Sequence, residues 1–182
     1  MEQGNLPTQR VNISSQKMLG GIGYILGLLP TPLMIFLKIV GYILVLISLY
    51  QLSNILRKPA IFQKALMGTI LILADILIAF TFGLMAEIVS SITMRNKIDG
   101  AIVAIIVAYV VFLVAFYFYK EAYKILAQAT AHDLFRIGGL LLFIVANTIV
   151  LFGLGILLII VGEIVLAVAF FTAPNEVEVQ GT

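Results

Sequence analysis

The sequence predicts an all-α fold, a polytopic membrane helix bundle with six transmembrane helices. Of its 182 residues, 62% are hydrophobic and 11% are charged, whereas a soluble domain has about 45–50% apolar and roughly 25% charged residues. A soluble core of this size could not bury so much apolar surface, but a lipid bilayer accommodates it. The apolar residues also form long runs, and the segments near the two ends of the chain resemble each other.

The first apolar run contains two helices, because Pro30-Thr31-Pro32 interrupts it. A proline lacks the backbone N–H donor, and its ring clashes with the preceding turn of a helix. We therefore predict helix 1 over residues 13–29 and helix 2 over residues 33–56. The polar segment Arg57-Lys58-Pro59 closes helix 2.

Two longer helices follow. Helix 3 is predicted over residues 60–94 and helix 4 over residues 100–130, with the polar loop RNKIDG between them. The end of helix 4, residues 117–130, is amphipathic and is expected to project beyond the lipid. It is either a solvated helix end or a docking segment for a soluble partner.

The last apolar run, residues 137–171, is too long for one span. A single helix of this length would reach about 52 Å, whereas the hydrocarbon core is about 30 Å thick. A bend at Gly153-Leu154-Gly155 divides the run into helices 5 and 6, and the bend should lie at the interface, since unpaired backbone groups are not tolerated in lipid. The six helices form one domain over residues 13–174, preceded by a polar tail (1–12) and followed by an acidic tail (175–182).

Basic residues predict the orientation. An even number of spans puts the N-terminus, the 2–3 loop, the 4–5 loop and the C-terminus on one side of a plasma membrane. That side holds eight basic residues: Arg10, Lys17, Arg57, Lys58, Lys64, Lys120, Lys124 and Arg136. The other side holds three: Lys38, Arg95 and Lys97. The positive-inside rule then predicts cytoplasmic termini. An interfacial belt on the same side is predicted from four tyrosines: Tyr50, Tyr117, Tyr119 and Tyr123.

The two terminal hairpins are predicted to be a parallel pseudo-repeat. Residues 18–30 resemble residues 136–148, and the partner helices contain IVGY at 39–42 and IVGE at 160–163. An acid in the second copy therefore stands where the first has a phenol. Four helices separate equivalent points, so both hairpins enter from the same face and would be related by an axis along the membrane normal. The alternative is a chance match between apolar sequences.

Several segments stand in a characteristic order along the chain: LGGIGYILGLLP, IVGYILVLISLYQLS, IFQKAL, FYKEAYKILAQAT, LFRIGGLLLFI and AVAFFTAP. As a series covering roughly residues 13–174, they resemble an uncharacterised family of prokaryotic, largely archaeal integral membrane proteins, domain of unknown function 996. The resemblance implies a multi-span membrane protein and transfers no functional residue to this chain.

Four polar residues within the predicted spans are candidates for an ion, proton or interhelical polar site: Lys38, Asp75, Asn147 and Glu163. Charged groups at mid-bilayer cost about 2.5–3.5 kcal/mol on insertion scales and are functional hypotheses by default. In one interpretation, Asp75 and Glu163 face each other or a wet cavity. In the other, each is a hydrogen-bonded contact between helices. A Lys38–Asp75 pair and an Asn147–Glu163 hydrogen bond are further hypotheses, and Asn147 could instead lie near the outer headgroups.

Glycines are predicted to bring helices close together, because small residues allow close approach. The candidates are Gly20, Gly23, Gly27, Gly41 and Gly162, and Gly23 and Gly27 form a GxxxG pair. Packing within one chain is favoured over a dimer contact.

The sequence favours a non-enzymatic function. It contains no cysteine and a single histidine, His132, so no metal site and no cofactor are predicted. The net charge of +2 gives no reason to expect nucleic acid binding. The expected partners are the lipid bilayer and either another membrane protein or a second copy. We predict a structural or accessory component of a membrane assembly. The alternative is a small proton- or cation-coupled transporter that uses intramembrane carboxylates.

Overall fold

The structure, a computed structural model, describes residues 8–28, 35–92, 97–148 and 154–180. Over these residues the chain is helical apart from two short strands. The elements are β1 (Thr8–Asn12), α1 (Ser14–Gly27), α2 (Ile35–Ile55), α3 (Pro59–Ile92), α4 (Lys97–Thr130), α5 (Leu134–Thr148), α6 (Leu154–Thr172) and β2 (Glu176–Gln180). The prediction of a helical fold with six helices is confirmed.

The helix boundaries agree with the sequence at most positions. The last apolar run is divided as predicted, because α5 ends at Thr148 and α6 begins at Leu154. Leu154 therefore belongs to α6, whereas Gly153 and Pro30-Thr31-Pro32 lie outside the described residues. α4 begins at Lys97, earlier than predicted, so the polar segment before residue 100 is partly helical.

The six helices close into a ring. Each helix packs against the preceding and the following helix, and α6 packs back against α1. The contact between α2 and α3 is the least extensive of these six. Because successive helices run in opposite directions, the start of α1 and the end of α6 lie at the same end of the ring, which we call the ribbon end.

The turns at the ribbon end are short because two helices end in left-handed residues. Arg57 and Ala131 have φ angles of 53° and 50°. The backbone N–H of Lys58 donates to Ser53 O (2.9 Å), and that of His132 donates to Ala127 O (3.1 Å). These are the six-to-one hydrogen bonds of a Schellman motif. Pro59 then occupies the first position of α3, where its missing N–H is not needed.

The two tails form a ribbon that the sequence analysis did not predict. β1 and β2 pair antiparallel, with Val11 opposite Val177. Val177 is buried in the core, while Arg10 and Glu178 form an exposed ion pair (Nε–Oε1 3.5 Å). The ribbon joins the first helix to the last, because the backbone N–H of Ile13 donates to Asn175 O (2.8 Å).

Lys17 strengthens this closure. Its ammonium group donates to Ala173 O (2.5 Å) and to Phe171 O (3.4 Å), both at the carboxyl end of α6. A cation at this position also interacts favourably with the negative end of the helix dipole.

The core lies in the half of the ring nearest the ribbon. Its largest fully buried side chains come from the ribbon junction and from helices α2 to α6: Ile13, Leu49, Leu52, Ile61, Tyr123, Leu126, Phe135, Leu166 and Phe170. The end of α4 is part of this core. Residues 117–130 are amphipathic as predicted, and their apolar face packs inside the ring. Their projection beyond the lipid stays a prediction.

Three helices are long and apolar enough to cross a membrane: Phe36–Ile55, Pro59–Phe82 and Ile105–Thr130. Two further apolar helices are shorter, Leu134–Thr148 and Leu158–Thr172. By length and composition alone, the described part of the chain thus contains three candidate spans.

Among the described glycines, Gly23 and Gly41 of the first hairpin lie closest to the backbone of a neighbouring helix. A Cβ atom added to Gly23 would lie 2.6 Å from the carbonyl oxygen of Gly41 and 2.8 Å from Val45 Cγ2. A Cβ atom added to Gly41 would meet Gly23 O at 2.5 Å. Gly27 differs, because a Cβ atom there would have no neighbour within 4 Å among the residues that the structure describes. The α1–α2 contact therefore depends on Gly23 and Gly41.

This difference gives a matched pair of variants. Gly23→Ala should lower the free energy of unfolding by about 1–3 kcal/mol, because the backbone of α2 has to move to admit the methyl group. Gly27→Ala should be neutral or stabilising by up to about 1 kcal/mol, since alanine has the higher helix propensity. Denaturant unfolding in detergent, followed by circular dichroism, measures both, and equal losses would contradict the close approach.

Candidate functional site

Polar side chains meet on the inward faces of the ring, in a group that we call the tyrosine–carboxyl cluster. Five of the six helices contribute to it. Its members are Tyr24 of α1, Tyr42 of α2, Thr69 of α3, Tyr119 and Tyr123 of α4, and Glu163 of α6. At about 1.5 Å per residue, all six lie roughly 10–20 Å from the ribbon end.

The carboxylate of this cluster is hydrogen-bonded to a phenol. Glu163 is 7% exposed, and its Oε1 accepts a hydrogen bond from the hydroxyl of Tyr42 at 2.9 Å. These two residues occupy equivalent positions in the IVGY and IVGE segments. The two residues that differ between the IVGY and IVGE segments are therefore in direct contact, with Tyr42 on α2 and Glu163 on α6.

Two further hydroxyl pairs complete the cluster. The hydroxyl groups of Tyr24 and Tyr123 are hydrogen-bonded to each other. Thr69 Oγ1 donates to the carbonyl oxygen of Ala65 (2.9 Å), so the hydroxyl of Tyr119 donates to Thr69 Oγ1 (2.6 Å). A buried hydroxyl without a partner would cost free energy, and these pairings remove that cost.

Aromatic rings fix the tyrosines in place on the ribbon side of the cluster. The ring of Tyr123 stacks on those of Tyr119 and Phe135, with centroids 6.5 Å apart in both cases. Tyr24 packs against Phe170 (5.9 Å), which in turn meets Phe135 edge to face (4.9 Å). This packing closes the ring between the cluster and the ribbon.

Tyr42 and Lys38 lie on the other side of the cluster. Tyr42 is 50% exposed, although its hydroxyl group reaches Glu163. Lys38 precedes Tyr42 by four residues and therefore lies on the same face of α2. Lys38 is close enough to Glu163 for an electrostatic interaction. The ammonium of Lys38 and the hydroxyl of Tyr42 thus approach one carboxylate from the same helix.

Asp75 does not join Glu163. It follows Ile61 and Gly68 at intervals of seven residues, on the face of α3 that packs against α4. One of its carboxyl oxygens is covered and has no hydrogen-bond partner among the described residues. Residue counting puts Asp75 and Lys38 at a similar height, about 25 Å from the ribbon end, yet the interaction found for Lys38 is with Glu163.

Asn147 also lies away from the cluster. Its side-chain amide donates to the backbone carbonyl oxygen of Phe143 in the same helix (2.7 Å). The backbone carbonyl oxygen of Asn147 accepts a hydrogen bond from the hydroxyl of Tyr109 (3.3 Å). The hypothesised hydrogen bond between Asn147 and Glu163 is therefore not formed. α5 packs through Val145 and Ala146, and Asn147 lies outside that buried face.

The candidate glycines lie where helices approach. Besides Gly23 and Gly41, a side chain at Gly20 would overlap the ring of Phe170, and one at Gly162 would lie 2.9 Å from Leu142 Cδ2. Gly27 is the exception. The described residues contain no group of three or more His, Asp or Glu side chains that could hold a metal ion.

Comparison with known proteins identifies the family. Residues 37–164 match the family model described as protein of unknown function (DUF996). The uncharacterized protein MJ1644 of Methanocaldococcus jannaschii is 32% identical over 173 residues, which cover 93% of this chain and 97% of that relative. The chain belongs to the DUF996 family. The family suggested by the ordered segments is thus confirmed, and no solved structure matches this DUF996 protein.

Most members of the tyrosine–carboxyl cluster of this DUF996 protein were not predicted from its sequence. Tyr119 and Tyr123 were expected in an interfacial belt with Tyr50 and Tyr117, but Tyr123 is 0% exposed and Tyr119 is partly buried. Small residues at helical spacing could have predicted that this face of α4 is buried. Ala115 and Ala122 lie on the same face as the two tyrosines, and both are fully buried. Tyr50 and Tyr117 are about half exposed.

The Tyr42–Glu163 contact is testable in a double-mutant cycle. Tyr42→Phe should lower the free energy of unfolding of this DUF996 protein by about 1 kcal/mol, because it leaves the carboxyl without its donor. Combined with Glu163→Leu, the cycle should give a coupling energy of about 0.5–2 kcal/mol. Tyr50→Phe is the control, since Tyr50 is as exposed as Tyr42 but forms no hydrogen bond to a carboxylate among the described residues. Additive effects of the two substitutions would refute the contact.

Proposed function

We propose that this DUF996 protein is a six-span protein of the plasma membrane that acts, without catalysis, as a structural or accessory component of a membrane assembly. The observation that carries this proposal is the pairing of hydroxyl and carboxyl groups with one another inside the ring, above a tightly packed core. Such an interior stabilises a fixed arrangement of helices and, on the ribbon side, leaves no polar passage among the described residues.

A membrane location is supported by the outer surface. All six helices present large apolar side chains outwards, among them Ile22 on α1, Phe36 on α2, Leu77 on α3, Ile144 on α5 and Ile164 on α6. Such a surface would be unfavourable in water over so wide an area. Hydrocarbon is the solvent in which it is stable.

Six spans are supported by the order of the ring. α1 and α5 are only about 21–22 Å long, but each packs between longer neighbours, and a short apolar helix is accommodated by local thinning of the bilayer. Both strands and both Schellman turns lie at the ribbon end. An even number of spans places the two termini, the α2–α3 turn and the α4–α5 turn on one side of the membrane. Most of the basic residues lie at this end, which favours a cytoplasmic position for it.

The parallel pseudo-repeat is also supported by the geometry. A two-fold axis between the hairpins would bring equivalent residues together where it passes between them. Tyr42 and Glu163 occupy equivalent positions and share a hydrogen bond. An axis near this bond accounts for the contact.

Transport is the second candidate, and one observation favours it. Lys38 and Tyr42 both interact with Glu163 on the side of the cluster away from the ribbon, and Tyr42 is half exposed. A proton or small cation entering from that side would reach Glu163 first. Asp75 lies elsewhere, so such a transporter would depend on one carboxylate and not on two.

A flux assay separates the two functions. Proteoliposomes containing the DUF996 protein should carry no more protons or monovalent cations than protein-free liposomes under an imposed gradient, because the core closes the ribbon side. Flux that is lost in Glu163→Gln and retained in Asp75→Asn would instead establish the transporter. Extraction of native membranes in mild detergent provides the second readout: the accessory role predicts a particle larger than the purified chain, and an equal size contradicts it.

The topology is testable because the chain has no cysteine. Single cysteines placed at Thr8, at Lys58 and at His132 should react with an impermeant thiol reagent only from the cytoplasmic side. A cysteine replacing Asn96 should react only from the other side. Labelling of positions 58 and 96 from the same side would refute the proposed spans of α3 and α4.

A further inference from the structure

The outer surface of the ring near the ribbon end is apolar on one side. On α6, Val168 and Phe171 are 45% and 40% exposed, although both lie within the last two turns of the helix. On α1, Met18 and Ile22 continue this apolar surface. At about 1.5 Å per residue, exposed hydrocarbon therefore begins within about 6 Å of the ribbon end on both helices.

The opposite side of the ring, formed by α3 and α4, is polar at the same height. Outward positions of α4 recur at intervals of three and four residues, and Gln128, Lys124 and Glu121 occupy them. Large apolar side chains are first exposed at Leu66 on α3 and at Tyr117 on α4. These two residues lie about 10 Å and about 20 Å from the ribbon end, so the apolar surface begins farther from that end than on α6 and α1.

Aromatic rings hold two lysine ammonium groups within this polar surface. Lys120 Nζ lies 5.3 Å from the ring centroid of Tyr117 and 5.0 Å from that of Phe143. Lys64 Nζ lies 5.8 Å from the ring centroid of Phe118. A cation within about 6 Å of a ring centroid is attracted by the ring, so these contacts fix the positions of both charges.

A carboxylate joins the cations of α4. The carboxylate of Glu121 lies 3.8 Å from Lys120 Nζ and 3.4 Å from Lys124 Nζ. We call the four charged residues of this surface the α3–α4 collar: Lys64, Lys120, Glu121 and Lys124. They lie about 8–15 Å from the ribbon end, at a height where α6 and α1 expose hydrocarbon. Charged groups are disfavoured in hydrocarbon, whereas lysine stems and tyrosine rings are favoured in the headgroup region.

We propose that the ring is tilted in the bilayer, so that the α3–α4 collar lies among the phospholipid headgroups while the ribbon-end surfaces of α6 and α1 lie among acyl chains. A level difference of about 10 Å across helices about 20 Å apart corresponds to a tilt of about 25–30°, within the range of membrane-spanning helices. The collar is the anchor that sets this tilt, since interfacial lysines and tyrosines fix helix orientation. This inference rests on the membrane location proposed above and holds for either function.

Single tryptophans test the tilt, because the chain has no tryptophan of its own. Gln63→Trp and Val168→Trp form a matched pair, since both positions are exposed and lie about 6 Å from the ribbon end on opposite sides of the ring. In liposomes of lipids brominated on their acyl chains, Val168→Trp should lose most of its fluorescence and emit at a shorter wavelength. Gln63→Trp should keep most of its fluorescence. Equal quenching of the two variants would overturn the tilt.

Ile160→Trp is the control for the membrane location. This exposed position of α6 lies about 18 Å from the ribbon end and should be quenched whether or not the ring is tilted. Absence of quenching there would refute the membrane location, whereas quenching there together with equal signals from positions 63 and 168 would refute the tilt alone. If either matched variant loses its circular dichroism signal, Lys124→Trp replaces Gln63→Trp and Met18→Trp replaces Val168→Trp.

The collar is tested as the anchor in the Gln63→Trp background. Lys64→Leu/Lys120→Leu should increase quenching of this tryptophan by the brominated acyl chains, because α3 and α4 lose the cations that keep this surface among the headgroups. Arg10→Leu/Arg136→Leu is the control, since it removes two exposed cations outside the collar and should not increase the quenching. The same quenching in both double variants would overturn the role of the collar.

Discussion

In the proposed membrane location, the structure depends on one constraint: a polar group surrounded by hydrocarbon must find its partner inside the protein. The six-helix ring satisfies this constraint in the tyrosine–carboxyl cluster, whose hydroxyl and carboxyl groups pair with one another, whereas one carboxyl oxygen of Asp75 has no partner among the described residues. Tyr42 therefore bonds to Glu163, and Tyr24 to Tyr123, instead of to water. Each bond joins helices that are distant in sequence, so polar pairing and helix arrangement specify each other.

Closure of the ring makes these pairings available. α1 meets α6 through small residues that admit the aromatic rings of Phe170 and Phe171. Lys17 and the β1–β2 ribbon then join the two helices at the ribbon end. Without this closure, α2 would not face α6, and Glu163 would have no phenolic donor. The function of the cluster, whether it holds an assembly component rigid or binds a proton or cation, thus depends on contacts near the two ends of the chain.

The sequence was sufficient for the helices and for four of the five candidate glycines, with Gly27 as the exception, because proline breaks, span length and small residues act locally. It was insufficient for the pairings, which depend on how helices rotate about their axes. Tyr119 and Tyr123 carry the same side chain as Tyr50 but lie on a face that turns inwards. Asn147 misses Glu163 because it lies outside the buried face of α5. The ribbon had a readable signal, since Glu176-Val177-Glu178-Val179 alternates with the period of a strand, but its partner, β1, is distant in sequence.

Closure of the first helix onto the last is most directly tested by disulfide trapping in membranes. Asn12 and Glu176 are opposite each other in the β ladder, and opposite residues of an antiparallel pair have Cα atoms about 4.5–5.5 Å apart, within reach of a disulfide. Asn12→Cys/Glu176→Cys should therefore form an intramolecular bridge under mild oxidation, visible as a faster monomer band without reductant. Asn12→Cys/Glu178→Cys, two residues out of register, should not. Bridges that link two chains, or equal trapping of both pairs, would contradict a ring closed within one molecule.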